Sequence, residues 1–142
     1  MKNFTLKSLI AVASMTVAAG IASAQALKVE IPFSFRAGET LMAPGTYRVI
    51  ANSSALHTPA IQIRRQDEGG GIMMLANARD AETQWRTAGV PKVQFNCLDG
   101  RCTLARVYDG TSRDAMELRR SRRALQENAG VTVITLAAVR VK

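Results

Sequence analysis

Cys97 and Cys102 are the two cysteines of the chain, and Leu98-Asp99-Gly100-Arg101 stands between them. Asp-Gly between apolar runs specifies a two-residue hairpin, because a type I′ turn needs positive φ at both central residues. Leu98 and Arg101 then flank the turn, and Cys97 faces Cys102 at a non-hydrogen-bonded position, the closer antiparallel spacing. The pair is therefore expected as a Cys97–Cys102 disulfide, worth about 2 kcal/mol for so small a ring. The competing chemistry is a reactive redox pair, but such pairs favour a two-residue spacer at a helix start. Zinc would need ligands beyond two cysteines and the distant His57.

The remaining reactive side chains do not converge on a catalytic pattern. His57 is the sole histidine and sits between Leu56 and Thr58-Pro59, with no Gly-x-Ser-x-Gly elbow in the chain. Gly69-Gly70-Gly71 lacks the Lys-Ser/Thr of a phosphate cradle and reads as a hairpin loop. Asp67/Glu68 and Asp80/Glu82 could supply paired carboxylates, yet acids in polar loops are usually solvated. The chain is expected to be non-enzymatic, with no cofactor and no metal.

The strongest binding feature is Arg119-Arg120-Ser121-Arg122-Arg123. Arg119, Arg120, Arg122 and Arg123 are the candidate anion-binding set, since an anionic partner would relieve the repulsion between four guanidinium groups. The competing reading is a solvated helix face, partly offset by Glu117 and Glu127. Anionic envelope lipid or polysaccharide is the expected partner class. Nucleic acid is not expected, because the chain reads as exported.

Export is read from the first residues. Lys2 and Lys7 precede an Ala-rich apolar run from Leu9 to Ile21, which closes with Ala22-Ser23-Ala24-Gln25-Ala26. Basic, apolar, then small-x-small is the layout of a cleavable secretory signal, and the run is short for a membrane span. Residues 1–24 are expected as the signal peptide, cut after Ala24, with Ala26 as the alternative. Residues 25–142 then form a single β-rich domain, periplasmic or secreted, without a transmembrane span. Loss of Lys2 and Lys7 lowers the formal charge from +8 to +6, which suits contact with anionic surfaces.

These groups must be positioned by β-structure. Val29, Ile31, Phe33 and Phe35 alternate with polar neighbours across Lys28–Arg36, where Pro32 predicts an edge or one-sided pairing. Pro44-Gly45 predicts a type II turn ahead of a strand over Thr46–Ala51. Further strands are predicted over Ala60–Arg65, Lys92–Cys97 and Arg101–Tyr108. Ile72-Met73-Met74-Leu75 reads as a strand covered on both faces, and Val131–Val141 as a central strand. Arg79–Gly89, with the only Trp, Trp85, reads as a long connection or lid. Leu118, Arg122 and Leu125 predict a short helix from about Arg119 to Asn128. The expected class is all-β, mainly antiparallel: a small β-sandwich or β-barrel of about seven strands, with one short helix near the C-terminus.

Pro32-Phe33-Ser34-Phe35 with Gly38, and Pro44-Gly45-Thr46-Tyr47-Arg48-Val49, form a pattern that resembles an uncharacterised group of small exported bacterial β-rich proteins. Val93-Gln94-Phe95, Asp99-Gly100 to Leu104, Glu117-Leu118 and Ser121-Arg122-Arg123-Ala124 are similar to the same group. The chain departs from it at Pro44, which directly precedes Gly45, at Ala124, where Glu is frequent, and at the two cysteines. The resemblance implies secretion and a compact β-rich domain, and it implies no activity.

Two functions fit these residues. The first is a non-enzymatic, structural or envelope-associated protein acting through its surface. The second is a carrier of a small apolar, lipid-like ligand inside a barrel lined by Met73, Met74 and Phe95. Mass spectrometry of the exported protein is expected to find Gln25 at the N-terminus and no free thiol. A retained Met1, or two free thiols, would overturn the reading of compartment.

Overall fold

The computed structural model describes residues 25–52, 58–119 and 130–141. Eleven strands and one short helix follow in order: β1 Ala26–Ile31, β2 Phe35–Ala37, β3 Thr40–Met42, β4 Gly45–Asn52, β5 Ala60–Arg65, β6 Ile72–Asp80, α1 Thr83–Ala88, β7 Lys92–Leu98, β8 Arg101–Tyr108, β9 Asp114–Leu118, β10 Thr132–Ala137 and β11 Val139–Val141. The expected all-β, mainly antiparallel class holds. The strands form one sheet in the order β10-β7-β8-β9-β6-β5-β4-β1-β11, with β2 parallel to β8 and β3 paired to β2.

The ladder is not closed, yet its two ends are halves of one C-terminal segment. β10 pairs with β7, β11 pairs with β1, and Ala138 alone separates them. Ala138 is buried, and its N–H donates to the Pro91 carbonyl at 3.0 Å. β6 makes the second corner: Ile72–Leu75 pair with β5, while Ala76–Asp80 pair with β9. A strand that changes partners along its length lets one sheet fold over on itself.

Alternation then buries one face of each half. Leu27, Val49 and Ile63 stand in register across β1, β4 and β5, and all three have 0% exposure. Val93 and Phe95 of β7 and Leu104 and Val107 of β8 answer them from the other half. An irregularity between Gln94 and Phe95 leaves Ala105 without an opposite residue, a β-bulge that shifts the inward positions of β8 from Cys102 and Leu104 to Val107. Four aromatic rings join the halves. Phe33 meets Phe95 at 5.1 Å, Phe95 meets Phe35 at 5.3 Å and Phe35 meets Tyr47 at 5.2 Å, all edge to face.

The Cys97–Cys102 disulfide is present. The cysteines are directly opposite in the β7–β8 register with Cα atoms 4.0 Å apart, and Asp99 and Gly100 have φ of 51° and 75°. Both residues of the turn are in the positive-φ region, as a type I′ turn demands.

The strands number eleven rather than the expected seven or so, and five further expectations are corrected. Lys28–Arg36 is two strands, because the ladder breaks at Pro32–Ser34 as the chain passes from β1 to β2; beside the break, Val29–Ile31 pair on one side only. Gly45 has no positive φ and makes no type II turn. It opens β4, and a Cβ there would lie 3.3 Å from the Arg65 guanidinium. Met73 and Leu75 are exposed, so β6 is covered on one face rather than two. Val131–Val141 is not a central strand: it divides into the two ends of the sheet, with Val133 and Val139 exposed. Arg79–Gly89 is a structured connection from β6 to β7 rather than a lid: it contains the end of β6 and α1, whose Trp85 packs on Tyr108. The helix expected from Arg119 to Asn128 lies, from residue 120 on, outside the described residues.

Phe35→Ala removes a ring that touches both Phe95 and Tyr47, and is expected to cost about 3–5 kcal/mol in urea unfolding. Leu41→Ala, at a residue 67% exposed, is expected to stay within about 0.5 kcal/mol of the parent.

Candidate functional site

Of the expected anion-binding arginines, the structure places Arg119 just beyond β9, exposed, with Nε donating to Asn77 Oδ1 at 3.3 Å. Arg120, Arg122 and Arg123 lie outside the described residues, as does His57. Three of the four candidate acids are matched to cations, and Asp67 is in no ion pair among the described residues. Asp80 lies 3.4 Å from Arg113, Glu82 lies 3.5 Å from Arg106, and Glu68 lies 3.7 Å from Arg65. The residues proposed to line a carrier cavity point apart: Phe95 is fully buried between Phe33 and Phe35, Met74 is buried, and Met73 is exposed. Leu27, Ile31, Val49, Ile61, Ile63 and Phe95 each have 0% exposure, so none of them borders a void that a water could occupy.

Comparison with known proteins finds no matching family model, no matching curated protein and no matching solved structure. The residues that carry the resemblance to the exported group have structural work in this fold. Phe33, Phe35, Tyr47 and Phe95 are the aromatic chain of the core, and the Tyr47 hydroxyl donates to the Ala43 carbonyl at 2.5 Å across Pro44-Gly45. Burial pushes the Tyr47 hydroxyl pKa up; Arg65 partly offsets this and Glu68 adds to it.

A feature absent from the sequence reading appears on the outer face of β1, β4 and β5. Lys28 is opposite Arg48, and Arg48 is opposite Arg64. Three cations from strands 16 or more residues apart therefore form one row across the sheet. Neighbouring strands are about 4.8 Å apart, so the row spans about 10 Å between its outer Cα atoms. Like charges directly opposite one another disfavour the pairing, by up to about 1 kcal/mol each. Among the described residues no ion pair joins Lys28, Arg48 or Arg64 to an acid. Lys28 and Arg64 are exposed; Arg48 between them is half-buried, and its Nε is covered without a hydrogen-bond acceptor. Outward alternation around Val29, Val49 and Ile63 marks each of these positions in the sequence. Only the register aligns them.

A second cluster sits under α1. Trp85, Ala81, Tyr108 and Ala115 are buried together on the outer side of β8 and β9, and Arg106 lies 5.0 Å over the Trp85 ring. The nearby depression of about 650 Å³, lined by Glu82, Thr83, Gln84, Thr87 and Ala88, is open to solvent. Its polar wall is partly spent internally, since Gln84 donates to Glu82 at 2.7 Å.

Asp109 anchors the loop that follows β8. One carboxylate oxygen accepts the N–H groups of Thr111 at 2.8 Å and Ser112 at 2.7 Å, and the other accepts the Ser112 hydroxyl. The Asp109 carbonyl accepts Arg140 Nε at 3.0 Å, and Arg140 Nη2 also donates to the Gly89 carbonyl at 3.3 Å. Gly110 has φ of 84°, and a Cβ there would fall 2.9 Å from that Gly89 carbonyl, so this crossing needs glycine. Burial alone would raise the Asp109 pKa, but the hydrogen bonds from Ser112 and Thr111 outweigh it and hold the carboxyl below its ordinary value. The folded state thus binds this proton less readily than the unfolded chain. The resulting stability is present above the ordinary aspartate range and is lost as pH falls from there down through the lowered folded-state value. Between about pH 6 and about pH 3, the parent is expected to lose more stability than an Asp109→Asn variant in urea titrations. Parallel losses would show that Asp109 does not couple folding to protons.

Proposed function

We propose that this protein is exported and acts without catalysis, as an envelope-associated module that binds an anionic partner through the outer face of its sheet. The observation that carries the reading is the row Lys28–Arg48–Arg64, in which three cations are held opposite one another with no ion pair to an acid among the described residues. A fold gains nothing from such an alignment in water, whereas a polyanion neutralises all three at once. The formal charge of +6 beyond the signal peptide raises the encounter rate with such a partner. Arg119 and the arginines after it extend the basic character of the chain and are a second contact in the same reading.

Export rests on the signal-like opening, and the Cys97–Cys102 disulfide supports an oxidising compartment. No helix among the described residues is long and apolar enough to cross a membrane. Carriage of an apolar ligand has less support, because the aromatic chain occupies the space where that ligand would sit.

Titration calorimetry of the purified protein with a soluble polyanion such as dextran sulfate tests the reading. The parent is expected to bind, and to weaken steeply with salt. Lys28→Gln/Arg64→Gln, which leaves half-buried Arg48 in place, is expected to lose about thirtyfold in affinity, on the order of 1 kcal/mol for each of the two cations removed. Equal affinity of parent and variant would remove the row from function.

A further inference from the structure

The cation row borders an apolar strip on the same face. Residues directly opposite across a ladder share a face, and every second residue returns to it. Lys28 is opposite Val139 of β11, so the row begins beside a valine that is 66% exposed. The next row on that face runs Val141, Ala26, Ile50, Gln62 and Met73, and the one after it ends in Leu75. Met73 is 66% exposed and Leu75 53%. On the opposite side of the cations comes Glu30, across from Thr46. The face is therefore graded: an acid, then three cations, then mostly apolar side chains, interrupted by Gln62 and Asn52, that end in two exposed apolar ones.

We propose that this face docks on an anionic lipid bilayer, with Lys28, Arg48 and Arg64 on lipid phosphates and Met73, Leu75 and Val139 entering the headgroup boundary. The proposal rests on the anionic-partner reading above and names its partner. A hydrated polysaccharide would match the cations and leave the large apolar side chains in water. A bilayer offers phosphates at one depth and hydrocarbon just below, the same order in which this face presents charge and apolar surface. The lysine and arginine stems lie along apolar neighbours while their heads reach phosphate, as basic residues do at such interfaces. Contact with a second copy of the chain is less suited, because bringing two such faces together adds three more cations and only one acid, Glu30, to answer them.

Flotation with vesicles distinguishes these outcomes. The parent is expected to float with phosphatidylcholine vesicles containing about one third phosphatidylglycerol and to stay behind with pure phosphatidylcholine. Lys28→Gln/Arg64→Gln is expected to lose at least about tenfold in the bound fraction's midpoint. Met73→Asn/Leu75→Asn, at exposed positions where folding is undisturbed, is expected to lose about tenfold on vesicles and nothing on dextran sulfate. That split is the signature of insertion, and circular dichroism checks that each variant is folded. If the parent binds dextran sulfate but not anionic vesicles, the bilayer is wrong and the anionic-partner reading stands. If it binds neither, both fall. Flotation of the Met73/Leu75 variant equal to the parent would also overturn the proposal, as would loss of vesicle binding in favour of self-association at the same concentration.

Discussion

The fold depends on a line of edge-to-face aromatic contacts through its interior. Tyr47 comes from β4, Phe95 from β7, and Phe33 and Phe35 from the segment that carries the chain between the two halves of the sheet. Each contact is worth about 0.5–1.5 kcal/mol beyond the area it buries. Their larger effect is geometric. Phe33 and Phe35 can meet Phe95 together only if the chain leaves β1 at Pro32 and restarts beside β8, which is where β2 pairs with Cys102 and Thr103. The break in the first strand and the packing of the two halves are thus one event.

Three local devices hold the sheet around that interior. The disulfide ties β7 to β8 beside their own turn, so it stiffens a hairpin already specified by Asp99-Gly100 rather than linking distant parts. At the other end of these strands, Asp109, Gly110 and Arg140 lock β11 to the loops after α1 and β8. Ala138, small and buried, lets the last segment change partners from β7 to β1 within one residue. The sheet needs no ladder closure because the covalent chain joins its ends.

With the inner face committed to packing, the proposed contact with an anionic partner falls to the outer face. Arg65, one residue from Arg64, shows the difference: it sits beside Tyr47 and Gly45 and pairs with Glu68, a structural use of charge. Lys28, Arg48 and Arg64 have no such use among the described residues. Alignment of like charges on a solvated face is a cost to the isolated fold, and such costs are characteristic of surfaces shaped by what they bind.

Much of the fold was legible in local patterns. Period-two alternation located β4 and β5 to within a residue, since a strand with one wet face writes its orientation into every second side chain, and β7 and β8 were placed as closely on either side of the Asp-Gly turn. The Asp-Gly turn foretold the register that brings Cys97 to Cys102, because hairpin geometry is set within six residues. Three features were not legible for a shared reason. The both-sided apolar character of Ile72–Leu75 and Val131–Val141 does not say whether a second face is covered, and here Met73, Leu75, Val133 and Val139 are exposed. The short strands β3 and β9 carry too few alternating residues to be seen. The row of Lys28, Arg48 and Arg64 exists only because two ladders align residues 20 and 16 positions apart, and pairing register between distant strands is decided by how the whole core packs. Local sequence thus specified β4, β5, β7 and β8, the Asp-Gly turn and the disulfide, whose energetics are settled by neighbours along the chain. The partner switches at Ala138 and Leu75/Ala76, and the charged face they frame, were settled by tertiary contacts, because one sheet can enclose a core only by choosing where its strands change sides.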